Sequence, residues 1–182
     1  RELKDREKFD RSLEFAQSLP AARRLITKHL RAGENSPQRA FAAALRIVDA
    51  GALRIGGERY AEVNGSYGTT TLRVEHVTVQ GDEVRFDFPG KSGQEWHTLI
   101  EDADLVAALT PMLARPGADT ALAYEGVDGN WHSISASALN GFLREVTGGD
   151  FTAKDFRTWQ ATVVAAMHLA RAFPLAATKT DK

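Results

Sequence analysis

Residues 154–159 read Lys-Asp-Phe-Arg-Thr-Trp, and two glycine-containing stretches precede them: Arg-Ile-Gly-Gly at 54–57 and Gly-Lys-Ser-Gly at 90–93. Each stretch lies where a predicted helix or strand begins or ends, and together they supply Arg54, Lys91 and Arg157. A guanidinium group is planar, offers paired donors and never loses its charge in a protein. Two arginines and a lysine are therefore a set that can hold and polarise one phosphodiester.

Transfer of a phosphoryl group from such a diester has three requirements. Charge on the non-bridging oxygens must be neutralised, the leaving oxygen must be protonated, and a nucleophile must lie in line with it. The Asp and Glu residues are scattered through predicted turns and helix starts, without metal-ligand spacing. The sequence therefore predicts phosphate chemistry by fixed cations, with no metal and no other cofactor.

Composition bounds the class of protein. The chain has 182 residues, of which 43% are hydrophobic and 26% charged, so it can form one globular domain. It has no cysteine, no apolar run long enough for a membrane span and a charged start, which we take to mean a cytoplasmic protein without a signal peptide.

The net charge of −1 argues weakly against nucleic acid, but the charge is unevenly distributed. Residues 1–50 carry 11 Lys and Arg against 7 Asp and Glu, and residues 154–182 carry 5 against 2. Residues 51–153 are acidic, with 7 basic against 15 acidic side chains. A groove between the basic ends could still attract a phosphate backbone.

The first 51 residues have helical periodicity. Apolar residues from Leu3 to Leu19 predict a first helix that Pro20 ends, and a second helix is expected over residues 21–30. Ser36 and Pro37 predict the N-cap and first turn of a third helix, which Gly51 stops.

Residues 70–101 change to the alternating pattern of strands. We expect strands over residues 71–79, 84–88 and 95–100, joined by turns at 80–82 and 90–93, as a three-stranded antiparallel meander. After it, Asp102 or Asp104 caps a helix to about residue 113, and residues 121–124 are extended. Ser135 or Ser137 caps the next helix, and a last helix runs from Thr152 or Lys154 to about residue 173.

The predicted fold class is α+β: a mainly helical domain with a small three-stranded antiparallel sheet. We place the core domain at residues 1–174, with a helical lead-in over 1–51, the meander over 70–101 and helices over 102–174. Residues 175–182 are small and polar and are expected to be a loose tail.

In their order and with their neighbours, these stretches resemble the catalytic domain of bacterial, poxvirus-type DNA topoisomerases of type IB. The resemblance rests on residues 54–60, 64–73, 76–77, 90–93 and 151–159 and covers nearly the whole chain. It implies the fold shared with tyrosine recombinases. It also implies an enzyme that relaxes supercoiled duplex DNA by transient single-strand cleavage through a 3′-phosphotyrosyl bond and religation, without ATP or metal.

The resemblance also implies residue roles. Arg54 and Arg157 match the two arginines that clamp the scissile phosphate, and Lys91 matches the general acid toward the leaving 5′ oxygen. Tyr60 and Lys154 match positions that contact DNA. Duplex DNA is the expected partner, the expected state is a monomer, and the expected location is the bacterial nucleoid.

Two parts of the family pattern have no counterpart here. No tyrosine follows Arg157, and the histidine or asparagine expected to bind the phosphate from beyond the last predicted helix is also missing. Tyr60, Tyr67 and Tyr124 are expected to be core or DNA-stacking aromatics rather than nucleophiles. We therefore expect the chain to be a fragment that is inactive alone.

Three other interpretations stay open. A tyrosine recombinase shares the Arg, Lys and Arg set, although recombinases usually have histidine where this chain has Lys154. A duplex-DNA-binding module without chemistry would use the same cations. An α+β domain without a nucleic-acid role is favoured only by the net charge.

Overall fold

The computed structural model describes residues 2–172, and the side chains of residues 6–59 and 61–172. In this part of the chain the helices are α1 (Glu2–Leu30), α2 (Pro37–Gly51), α3 (Glu58–Asn64), α4 (Ala103–Ala114), α5 (Ala136–Thr147) and α6 (Ala153–Ala172). The strands are β1 (Val77–Gln80), β2 (Glu83–Pro89), β3 (Glu95–Glu101), β4 (Ala123–Glu125) and β5 (Trp131–Ser133). The predicted α+β class, mainly helical with a three-stranded antiparallel sheet, is confirmed.

The prediction that Pro20 ends a first helix is wrong, because α1 runs without a break through it. Proline removes one backbone hydrogen bond from a helix interior, which costs about 3 kcal/mol. Pro20 itself is exposed, while apolar residues at helical spacing continue the same buried stripe on both sides of it. These are Phe15, Leu19, Ala22, Ile26 and Leu30, all at most 2% exposed. Burial of this stripe outweighs the local break.

Helix α2 forms as predicted. The Arg39 N–H donates to the Ser36 Oγ at 3.3 Å, which satisfies one of the free donors of the first turn. Gly51 is the last helical residue, and Ala52 takes the left-handed conformation that ends the helix, with φ 55°. Nine residues of α2 are buried, so this helix forms the centre of the core.

The sheet has the order β1-β2-β3, antiparallel throughout, with Val77 opposite Phe86 and Val84 opposite Ile100. Val84, Phe86 and Phe88 lie on one buried face, as predicted. The expected strand over residues 71–79 is wrong before Val77, since residues 69–71 and 74–76 form two 3-10 turns. Side-chain bonds to the segment after α2 hold this part of the chain in a turned conformation.

The C-terminal half agrees with the predicted helices and adds a small ribbon. Asp102 and Ser135 are the N-caps of α4 and α5, accepting from Leu105 N at 2.9 Å and Ala138 N at 3.1 Å. The extended piece near Ala121 is β4, which pairs with the unpredicted strand β5. The division into a core domain over 1–174 and a tail over 175–182 stays a prediction, because residues 173–182 lie outside the described part.

Helix α6 packs on α1 and α2. The ring of Phe156 in α6 meets that of Phe15 in α1 edge-on, with centroids 4.9 Å apart, and both side chains are fully buried. Gln160 in α6 donates to the backbone carbonyl of Asp49 near the end of α2. Arg54, in the loop after α2, and Arg157, in the first turns of α6, are therefore carried by elements that pack together. Among the described helices, none combines the length and apolarity that crossing a bilayer requires.

Candidate phosphate-binding site

Arg54 lies in the segment that links α2 to α3. Residues 68–71, here called the strap, hold this segment in place by hydrogen bonds. The N–H groups of Thr69 and Thr70 donate to the carbonyls of Arg54 and Ile55, both at 2.8 Å. The hydroxyl groups of the same two threonines donate to the same carbonyls at 3.1 and 2.9 Å. Both threonines are buried, so the backbone of Arg54 is fixed while its side chain stays exposed.

The strap depends on Gly68 because two backbones touch there. A Cβ atom at Gly68 would lie 2.5 Å from Gly56 N and 2.7 Å from Arg54 O. Gly56 has φ 88°, a conformation that glycine adopts readily and other residues rarely. Gly56 and Gly68 therefore allow a close approach of two backbone segments.

Lys91 begins the turn between β2 and β3, which the Gly90 N–H closes onto the Gln94 carbonyl at 2.8 Å. The next residue, Ser92, has φ 67°. This turn forms part of the wall of a cavity of about 250 Å³. The cavity is lined by Arg54, Tyr67, Phe88, Gly90, Lys91, Ser92, Gln94 and Trp96. A second cavity, of about 240 Å³, also has Arg54, Tyr67 and Lys91 in its wall. The structure thus brings Arg54 and Lys91 to one site from segments that are 37 residues apart in sequence.

Arg157 interacts electrostatically with Arg54. Partial burial, followed by the positive charge of Arg54, lowers the pKa of the Arg157 guanidinium, although Arg157 lines neither of the two cavities. Arg54, Lys91 and Arg157 have no carboxylate within ion-pair distance among the described residues, whereas Arg11, Arg23 and Arg31 are each paired with an aspartate. Two cations that share a cavity wall without a carboxylate partner favour an anion there, and Arg157 is the third predicted member of this set.

The two predicted DNA-contact residues are placed differently. Lys154 is exposed and lines a separate depression between α1 and α6, together with Lys8, Arg11, Ser12, Thr152, Asp155 and Thr158. It does not line the cavities of Arg54 and Lys91. Tyr60 lies in α3, and its side chain is outside the described part. The roles of all five predicted site residues stay predictions.

Sequence reasoning missed Tyr67 as a member of the site. Its ring lines both cavities, meets His76 edge-on at 4.5 Å and has the guanidinium carbon of Arg73 at 5.7 Å from its centroid. The signal was its position directly before Gly68, the residue of closest backbone approach. Tyr124 is elsewhere, stacked on His132 in the β4–β5 ribbon.

The buried His76 ring packs edge-on against Tyr67, and His76 makes the free energy of unfolding depend on pH. Burial lowers the pKa of His76, and its Nδ1 accepts a hydrogen bond from Arg73 N at 3.1 Å, which requires an unprotonated nitrogen. As pH falls below about 6.5, the unfolded chain binds a proton at this residue that the folded chain does not. We expect stability to fall with pH from there until the folded-state pKa is passed.

The measurement is urea unfolding of the wild type and of His76→Asn at several pH values on both sides of the histidine range. The asparagine keeps an acceptor oxygen but does not titrate. The wild type should lose more unfolding free energy on acidification than the variant, and equal losses would contradict this role of His76.

Across residues 2–172 no group of three or more His, Cys, Asp or Glu side chains is arranged to hold a metal ion. The charged groups that line the two cavities are cationic: the Arg54 guanidinium group and the Lys91 ammonium group.

Comparison with known proteins identifies the family. The family model described as "Eukaryotic DNA topoisomerase I, catalytic core" matches residues 1–182. The chain is 29% identical over 163 residues to DNA topoisomerase 1B of Acanthamoeba polyphaga mimivirus, covering 87% of this chain and 48% of that protein. It is 30% identical over 159 residues to DNA topoisomerase 1 of Daucus carota, covering 87% of this chain and 19% of that protein. The chain thus spans about half, or less, of the length of these relatives.

A solved structure shares the fold. The site-specific recombinase XerH, in a pre-cleavage complex with its difH substrate, matches with a TM-score of 0.51 and 13% identity. The match covers 86% of this chain and 46% of the recombinase chain. At this identity the likeness concerns the fold alone, and it agrees with the predicted relation between the two enzyme classes. Because the family model matches from the first residue to the last, the chain belongs to the catalytic-core family of type IB DNA topoisomerases.

Proposed function

We propose that this chain is the phosphate-binding core of an enzyme that relaxes supercoiled duplex DNA by cutting and resealing one strand. The observation that carries the proposal is the site where Arg54 and Lys91 share two cavities, Arg157 is near Arg54, and none of the three has a carboxylate partner in the described part of the chain. A DNA phosphodiester supplies the missing negative charge. The relatives named topoisomerase support the reaction class.

Each cation has one task in the proposed reaction. Arg54 and Arg157 bind the non-bridging oxygens of the scissile phosphate and stabilise the charge that develops there, for which one preorganised donor is worth about 3–4 kcal/mol. A tyrosine oxygen attacks phosphorus, the bond to the 5′ oxygen breaks, and Lys91 donates a proton to that oxygen. Religation reverses these steps after the duplex has rotated.

The nucleophile is the part that these residues do not supply. No tyrosine follows Arg157 in the sequence, and Tyr124 is in the β4–β5 ribbon, away from the cations. We propose that the attacking tyrosine, and the histidine or asparagine that binds the scissile phosphate, belong to a segment outside these 182 residues. On its own this chain would bind the phosphate but form no covalent bond with DNA.

The finer assignments stay predictions. They are the bacterial, poxvirus-type branch of the family, a monomer located at the nucleoid, and turnover without ATP or metal. DNA contacts by Tyr60 and Lys154 belong with them, and for Lys154 the exposed position at the start of α6 is compatible with a contact outside the central cavity.

A recombinase is the second candidate, favoured by the shared fold with XerH. The two functions differ in their substrates. A topoisomerase relaxes a plasmid of any sequence, whereas a recombinase acts on paired specific sites.

The deciding experiment is supercoil relaxation without ATP or magnesium. It compares this chain with a longer natural protein that contains it together with the tyrosine segment. Relaxation by the longer protein alone is expected, because only that protein has both the cations and the nucleophile. Relaxation by neither protein would contradict the topoisomerase assignment and leave DNA binding or recombination.

Lys91→Ala gives a chemical test of the proton donor. We expect cleavage of ordinary DNA by the longer protein to slow by about 10²–10⁴-fold, the range of general acid catalysis. Replacing the leaving 5′ oxygen with sulfur should restore most of the rate, since a thiolate leaves without a proton. Arg54→Ala is the control that sulfur should not rescue. Failure of sulfur to rescue Lys91→Ala would count against the proton-donor role.

A further inference from the structure

The first turn of α6 is tied to α1 by one bidentate ion pair. Arg11 Nε donates to Asp155 Oδ1 at 2.8 Å, and Arg11 Nη2 donates to Asp155 Oδ2 at 3.0 Å. The same Nη2 also donates to the carbonyl of Asp150 at 2.7 Å, and the guanidinium carbon lies 5.2 Å from the ring centroid of Phe151. The two partners are 144 residues apart in sequence. One side chain of α1 therefore holds both the loop before α6 and the helix itself.

The same carboxylate also builds the start of α6. Asp155 Oδ2 accepts from Thr152 N at 2.8 Å and from Thr152 Oγ1 at 3.1 Å. Burial alone would raise the pKa of Asp155, but the hydrogen bonds from Arg11 and Thr152 outweigh burial and lower it, so the group is ionised. The residue is only 9% exposed. An ionised carboxylate at a helix start also interacts favourably with the helix dipole.

Arg157 is two residues further along the same turn and depends on it for its position. Its guanidinium group has no hydrogen-bond or ion-pair partner among the described residues, so no neighbouring side chain holds it in place. Between the two, Phe156 is fully buried and packs edge-on against Phe15 of α1. Residues 155 and 156 thus anchor the turn to α1, and residue 157 follows them on the same turn.

We propose that Arg11 and Asp155 are positioning residues that hold Arg157 in register with Arg54 and Lys91. This inference rests on the proposed function, because it assigns the pair to the placement of a phosphate-binding arginine. Catalysis is sensitive to such placement: an error of about 1 Å can cost about 10²-fold in rate. DNA affinity, which many contacts share, depends much less on one side chain.

The test uses the longer tyrosine-containing protein and single-turnover cleavage of a duplex. We expect Arg11→Met to slow cleavage by about 10–100-fold while the duplex Kd changes by less than about threefold. Arg31→Met is the matched control, since Arg31, directly after α1, is also paired with an aspartate, at 2.9 Å from Asp104 of α4, and lines neither cavity of Arg54 and Lys91. The control should cleave at the wild-type rate, and Arg11→Lys should recover part of the lost rate.

Combination with Arg157→Ala separates positioning from general destabilisation. If Arg11 acts through Arg157, then Arg11→Met will cause no further loss of cleavage in the Arg157→Ala background. The proposal would be overturned if the double variant lost cleavage rate by the product of the two single losses. It would also be overturned if Arg11→Met lost no more rate than Arg31→Met.

A second measurement does not depend on activity. In the 182-residue chain, hydrogen exchange of the amides of residues 153–158 should be faster in Arg11→Met than in the wild type and unchanged in Arg31→Met. If the longer protein cleaves no DNA in any form, the proposed function fails, and the exchange data still decide whether Arg11 orders this turn. Unchanged exchange in Arg11→Met would overturn the positioning role.

Discussion

We expect Arg157→Ala to lower the rate of DNA cleavage by the tyrosine-containing protein by about 10²–10³-fold. Partial burial and then the positive charge of Arg54 lower the pKa of the Arg157 guanidinium, and neither arginine has a carboxylate partner in the described part of the chain. Both are therefore available to the same phosphate. The charge on its oxygens grows toward the transition state, so the loss of a fixed donor affects the rate more than it affects binding.

The measurement is single-turnover cleavage of a duplex together with its Kd at several salt concentrations. The slope of log Kd against log salt should fall by about one, as for the loss of a single phosphate contact. Arg171→Ala is the matched control, because Arg171 is an exposed arginine in the last turn of the same helix. Normal turnover by Arg157→Ala would exclude Arg157 from the phosphate site.

Gly68→Ala should be the most disruptive single-methyl change in the site. The added Cβ would lie 2.5 Å from Gly56 N, 2.6 Å from Gly56 Cα and 2.7 Å from Arg54 O, all of them backbone atoms. Backbone atoms cannot move aside by a rotamer change, as the end of a flexible side chain can. Residues 68–71 would therefore have to shift away from the Arg54 segment. We expect the free energy of unfolding to fall by about 1–3 kcal/mol, the usual cost of overpacking.

Activity should fall as well, because the same displacement loosens the hydrogen bonds that hold the backbone of Arg54. Urea unfolding and cleavage are measured side by side, with Gly33→Ala as the control. A Cβ at Gly33 meets no atom within 4 Å, and the backbone there has no positive φ. Equal stability of Gly68→Ala and Gly33→Ala would contradict the close approach of the two backbones.

Several features of the fold followed from local sequence signals. Ser36 and Pro37 predicted the start of α2, because a cap satisfies donors within its own first turn. For α4 and α5 the sequence left two caps open, Asp102 or Asp104 and Ser135 or Ser137, and the first of each pair is the N-cap. The alternation of Val84, Phe86 and Phe88 predicted the buried face of β2, since side chains alternate across a strand whatever its neighbours are. Such signals act over a few residues.

Other features required contacts that no local pattern contains. Pro20 predicts the end of a helix, yet α1 continues past Pro20 because the apolar stripe from Phe15 to Leu30 is buried in the core on both sides of it. Residues 71–76 alternate like a strand, yet the bonds of Thr69 and Thr70 to the Arg54 segment, 15 residues away, turn the chain there. Tertiary hydrogen bonds and burial overrode local preference in both places.

The sequence by itself determined which cations we propose for the chemistry of this protein: Arg54, Lys91 and Arg157, in a pattern that resembles type IB topoisomerases. The tertiary structure alone decided which other groups surround and hold these cations. In the tertiary structure Tyr67 lies in the cavity wall, and Lys154 lies in a separate depression. Arg11 and Asp155, which are 144 residues apart in sequence, form an ion pair. The physical reason is that residue type and spacing set charge and local conformation, whereas distances between remote segments depend on how the whole core packs.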